Sequence, residues 1–184
     1  MSTGRKHYEN RVQPGQIGFY TSTVLDFVRA FERPEMKEEM VRCLLRDLYE
    51  SGSLLHAFVV MPHHIHFVAR NSEEYDCARL MNKIKRNSAK RLLGQLNDIE
   101  HSKFDMQRGL NGRKFWRASY RSLPLFTGAV IQQKIDYVHF NPVKGGLCDA
   151  AVDYRWSSAW LWERDEFVAE GYVLNLERVI EEFA

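Results

Sequence analysis

Apolar residues along the chain change their period several times, and each change marks an element. Ile17-Gly18-Phe19-Tyr20-Thr21-Ser22-Thr23 is aromatic and β-branched and predicts the first strand. Pro34, with Glu35, Glu38 and Glu39 in the turns that follow, predicts a helix start. Val41, Leu44, Leu45 and Leu48 form its apolar stripe, and Gly52 ends it. Leu54 to Met61 is an apolar run of central-strand character, Pro62-His63 a tight connection, and His64 to Arg70 the antiparallel return. A helix is expected from Tyr75 to Leu93, with Cys77, Leu80, Met81, Ile84 and Leu92 inward. Residues 94–113 read as a flexible connection, and 114–125 as the fourth strand with a loop. Gly128 to Asn141 reads as the last main helix, since Pro142 disfavours its continuation.

The order β-α-β-β-α-β-α is the split βαβ pattern of a ferredoxin-like α+β fold, an antiparallel sheet with helices on one face. The expected core spans about 17–142 of a domain covering 1–148. Residues 149–184 should pack on it as a C-terminal helical extension, with Ser157 and Ser158 read as a helix N-cap.

Candidate chemistry gathers in two stretches. In Met61-Pro62-His63-His64-Ile65-His66-Phe67, residues two apart share a strand face, so His64 and His66 project together. In Asp136-Tyr137-Val138-His139-Phe140-Asn141-Pro142, Tyr137 and Asn141 lie one helical turn apart on one face. If helix and strand pack together, two imidazoles, an amide oxygen and a phenol converge. The His pair alone is commonly two hydrogen-bonded core histidines, and Tyr137 alone an ordinary packing tyrosine. Together they describe a site with nitrogen and oxygen ligands and open positions, suited to Mg²⁺ or Mn²⁺ acting on phosphate; zinc also fits. His63 points opposite to His64 and reads as a loop or supporting residue.

Composition changes the picture through charge. The net +2 conceals a middle segment, 79–121, with 12 basic and 3 acidic residues. Arg79, Lys83, Arg86 and Lys90 recur at helical spacing, which by itself describes a solvated face. Lys103, Arg108, Arg113, Lys114, Arg117 and Arg121 extend the sign, interleaved with Phe115, Trp116 and Tyr120. Basic groups tracking phosphates, with aromatics on which unpaired bases stack, suit single-stranded nucleic acid.

Cys43, Cys77 and Cys148 are odd in number and widely spaced, which argues against a disulfide framework or a thiolate zinc site. With no signal-peptide pattern and no run long enough to span a bilayer, a cytoplasmic protein without membrane contact is expected.

Several of these segments, in this order, resemble the one-tyrosine HUH transposases, and among them the REP-associated tyrosine transposases. They are Val60 to Phe67, Phe115-Trp116 with Tyr120, Tyr137 to Leu147, and Tyr154-Arg155-Trp156-Ser157-Ser158-Ala159. The resemblance covers about residues 17–162; His63 departs from it, standing where the family usually has Asn.

It implies a ferredoxin-like core and a metal-dependent endonuclease and strand transferase acting on single-stranded or hairpin DNA, as monomer or homodimer. By position, His64, His66 and Asn141 are the implied metal ligands and Tyr137 the nucleophile. Such a phenol is mostly protonated at neutral pH and needs activation; His139 is near in sequence. Other readings are a non-catalytic nucleic-acid-binding module on the same fold, or a metal hydrolase using water. A replication initiator or relaxase shares the chemistry, but the Tyr-x-x-x-Asn-Pro context leans towards a transposase.

Overall fold

Strand β1 (Ile17–Thr23) lies inside a four-stranded antiparallel sheet of order β2-β3-β1-β4, with β2 Leu54–Met61, β3 His64–Arg70 and β4 Arg121–Pro124. This is the order a split βαβ chain produces, and the fold class is the one expected. The structure is a computed structural model that describes residues 12–97, 104, 114–169, 171 and 173–184. Of the basic residues singled out above, Lys103, Arg108 and Arg113 lie outside those described, as does most of the connection 94–113.

Strand alternation divides the sheet into two faces. Tyr20 of β1, Leu55, Phe58 and Val60 of β2, and Ile65, Phe67 and Ala69 of β3 form one face. Helices α1 (Pro34–Glu50) and α2 (Cys77–Leu93) cover it with Met40, Leu44, Leu48, Leu80, Met81 and Ile84. The Asp76 side chain caps the start of α2, accepting from Arg79 N at 2.8 Å.

The opposite face carries Phe19, Ala57, Val59, Met61 and Val68, and α3 (Gly128–Lys144) crosses it through Ile135 and Val138. Placement of helices on one face therefore holds for α1 and α2, while α3 takes the other. Because β3 alternates, His64 and His66 fall on the α3 face, in register with Thr23 and Thr21 of β1.

Helix α3 also continues past the expected end at Asn141. Pro142 removes a single backbone donor in the last turn, and the end is then closed by a Schellman motif. Gly146, in the left-handed region at φ 66°, donates to Val143 O at 3.0 Å, and Leu147 N donates to Pro142 O at 2.9 Å. The extra turn keeps Lys144 on the helix.

The C-terminal segment is less helical than its expected description. It comprises 3-10 turns at Ala151–Asp153, Leu161–Glu163 and Asp165–Phe167, a hairpin β5 (Val168–Ala169) with β6 (Val173–Leu174), and one short helix, α4 (Leu176–Glu182). Its serines do not cap a helix of the kind expected. Residues 156–158 run along the open edge of β2 instead: Val60 N donates to Trp156 O at 2.9 Å and Ser158 N to Phe58 O at 3.0 Å. Ser158 Oγ accepts from Phe58 N at 2.9 Å, which satisfies an edge donor that would otherwise invite another strand.

Candidate active site

His64 opens β3 directly after the Pro62-His63 turn, and His66 follows on the same face. Their ring centroids are 4.6 Å apart. Phe19 stacks on the His66 ring at 5.3 Å, and Thr21 Oγ1 holds His66 Nδ1 at 2.7 Å. That bond engages Nδ1 from the neighbouring strand and restrains the ring.

Burial pulls the His66 pKa down to about 3 and the His64 pKa to about 4, with each neighbouring imidazole adding to the effect and Lys134 acting on His66. Both rings are therefore neutral at pH 7, the state a metal ligand requires.

Tyr137 stands on α3 with its ring edge-on to His66 at 5.5 Å and to Phe19 at 5.7 Å. It remains 38% exposed, so the phenol is open to solvent and to a large substrate. Lys134 Nζ lies 5.5 Å and Lys144 Nζ 5.6 Å from its ring centroid. Residues 134, 137, 141 and 144 follow one helical face, a spacing visible in the sequence but not used there. Asn141 donates from Nδ2 to Tyr137 O at 3.4 Å, which leaves its side-chain oxygen as the atom available to a ligand.

Among the described residues, no group of three or more His, Cys, Asp and Glu is placed to hold a metal ion. An ion held here by His64 and His66 would need a further donor of another kind, and Asn141 stands one helical turn beyond Tyr137 on α3. The neutral imidazoles fit a divalent cation. His139 does not belong to the site. It is buried on the other side of α3, with Nε2 2.9 Å from Ser158 Oγ and its ring against Trp162.

A cleft of about 470 Å³ is lined by His64, His66 and Tyr137 together with Phe19, Thr21, Phe27, Arg117, Tyr120 and Arg121, and Asn141 is not among its lining residues. Arg117 and Arg121 are exposed, as is Lys114. Two of the expected DNA contacts are corrected. Trp116 is only 5% exposed and donates its indole N–H to Ser88 Oγ at 3.0 Å, so it is a core residue with no face for a base. Lys83 is bonded to Glu50 at 2.8 Å and sits 3.9 Å from Asp47, so its charge is already matched. Arg79, Arg86 and Lys90 are exposed on α2; Arg79 lies over the Tyr75 ring at 4.4 Å.

The sheet order, paired imidazoles on a middle strand and a phenol presented by the crossing helix define the class of one-tyrosine HUH proteins. More particularly, the chain belongs to the IS200-like transposase family, whose sequence model matches residues 28–140. No curated protein sequence matches significantly.

Among solved structures, a REP-associated tyrosine transposase bound to a REP hairpin superposes with a TM-score of 0.63 at 18% identity, covering 90% of this chain and 87% of that one. A candidate transposase from Deinococcus radiodurans R1 matches with a TM-score of 0.48 at 20% identity over 76% of this chain and 98% of its own. The first likeness is one of fold. Among the described residues no helix is long and apolar enough to cross a membrane.

Proposed function

We propose that this transposase cleaves and rejoins single-stranded DNA through a covalent phosphotyrosine at Tyr137, with a divalent cation, Mg²⁺ or Mn²⁺, held by His64, His66 and Asn141. The observation that carries this reading is the edge-on approach of Tyr137 to His66 inside an open, basic-rimmed cleft. A bound divalent ion would polarise the scissile phosphate and stabilise charge developing on its oxygens.

The chain's own residues do the rest. Tyr137 Oη attacks phosphorus in line, a tyrosyl O–P bond forms at the 5′ side, and the P–O3′ bond breaks to leave a 3′-hydroxyl. The phenolic proton leaves to solvent or to a base other than His139, which faces away from the cleft. Lys134 and Lys144 place positive charge against the ring of the phenol that loses that proton. One phosphodiester replaces another, so a 3′-hydroxyl can reverse the step without a nucleotide cofactor.

Arg117, Tyr120 and Arg121 guide the strand at the cleft, while Lys114 and the α2 residues Arg79, Arg86 and Lys90 are exposed basic groups open to the backbone. Hairpin DNA as the target is supported by the fold neighbour's bound REP hairpin. In this reading residues 1–148 are the catalytic domain, 149–184 buttress its edge, and the protein works in the cytoplasm as monomer or homodimer.

The test is incubation with labelled single-stranded DNA from its own genomic flanks and Mn²⁺. The wild type should yield an SDS-stable complex, and Tyr137→Phe should yield none while still binding DNA. An adduct that survives the substitution overturns the assignment.

A further inference from the structure

Between β1 and α1 the chain makes a 3-10 turn, Leu25–Phe27, in which two consecutive non-glycine residues take the left-handed region: Asp26 at φ 49° and Phe27 at φ 58°. For a bulky aromatic this backbone is unfavourable and persists only where surroundings over-determine it. They do so here. Val24 N donates to His63 O and Leu25 N to Phe115 O, each at 2.9 Å, Phe31 N to Pro62 O at 2.9 Å, and Arg117 N to Thr23 O at 3.0 Å. The turn is thus fastened both to the loop that launches His64 and to the segment that carries Arg117.

Strain that seats an aromatic in the core has a packing explanation. Phe27 has none, because its side chain remains 56% exposed at the mouth of the cleft. Arg117 lies over its ring at 4.9 Å, and His63 meets it edge-on at 5.8 Å. A guanidinium over an exposed ring, beside a cleft with phosphate-binding chemistry, is an arrangement on which an unpaired base can lie. Arg117 remains close enough to meet the adjoining phosphate.

We infer that Phe27 is a stacking platform for an unpaired base of the strand entering the cleft, held in place by the strained turn, with Arg117 as its cationic partner. The platform positions the strand over Tyr137 and is sequence-tolerant, since every base presents a π-face. The inference rests on the single-strand reading above, but not on the covalent step.

The experiment uses the full chain with Tyr137→Phe, so that binding is read without chemistry. Its probes are an oligothymidylate of about 12 nucleotides and an abasic strand of the same length and charge. Phe27→Gly is the informative variant, because glycine adopts the left-handed turn without steric cost. It should weaken oligothymidylate binding by about tenfold or more and leave the abasic strand within about twofold, with a melting temperature equal to or above the parent's. Phe27→Trp should retain oligothymidylate affinity.

Unchanged oligothymidylate affinity in Phe27→Gly, or an equal loss on both strands, overturns the platform. So does a lowered melting temperature accompanying a loss on both strands, since that marks a packing residue. A missing adduct in the wild type with these binding differences intact would remove the covalent reading and leave the platform standing.

Discussion

The His66 ring is held between two residues distant in sequence: Thr21 Oγ1 grips Nδ1 at 2.7 Å from β1, and Tyr137 meets the ring at 5.5 Å from α3. The Thr21–His66 pair is the tightest of these contacts. It engages Nδ1 of the ring from the neighbouring strand.

Thr21→Val keeps the shape of the side chain and removes the hydroxyl that orients His66. Mn²⁺ affinity, measured by isothermal titration, should fall by about 10–100-fold with little change in melting temperature. His64→Ala and His66→Ala should abolish measurable binding; Mn²⁺ binding that survives both would remove the metal site.

Lys134→Met should slow adduct formation in a single-turnover assay by about tenfold or more, because the charge beside the phenol is lost where the reaction develops negative charge. Lys144→Met should act in the same direction. DNA affinity should change far less than the rate, and Lys134→Arg should recover part of it. Equal losses in rate and affinity would make the lysine a phosphate anchor only.

Acid should destabilise the fold well before it reaches the ordinary carboxylates. Burial draws the His139 pKa down to about 4, although Asp136 pulls the other way. The unfolded chain, with an imidazole near 6.5, then binds more protons than the folded one between those values. Stability from this group is complete above about pH 6.5 and is lost as pH falls towards about 4, on the order of 3 kcal/mol across the window. His64 and His66 add to the same side. Urea midpoints should fall over this range, and His139→Gln should flatten the slope.

Trp116→Ala should destabilise the protein by roughly 3–5 kcal/mol, because the indole fills the core between α2 and the β4 approach and bonds Ser88. Trp116→Phe should lose mainly the hydrogen bond, about 1 kcal/mol, and bind single-stranded DNA like the wild type. A selective loss of DNA binding in Trp116→Phe would return this residue to the interface.

Much of the fold was legible because it is written in local periods. β1, β2 and β3 occupy the stretches expected of them, and the apolar stripes of α1 and α2 are the buried ones. The two-residue spacing of His64 and His66 was enough to put both on one face, and the spacing of Tyr137 and Asn141 to put both in the final turns of α3. The Lys134 and Lys144 stripe was equally local and could have been read with them.

What the sequence by itself determined is the order of the elements, the parity of the His pair along its strand and the helical phase of Tyr137 with Asn141. Each depends only on residues within a turn or a pleat of one another. Tertiary structure decided which face of the sheet α3 covers and therefore that Tyr137 meets His66. It also buried Trp116 beside Ser88, matched Lys83 with Glu50, turned His139 to Ser158, and strained the backbone under Phe27. These outcomes depend on partners dozens of residues away. Burial and charge pairing are properties of what packs against a side chain, and a local period specifies only the direction in which that side chain leaves the backbone.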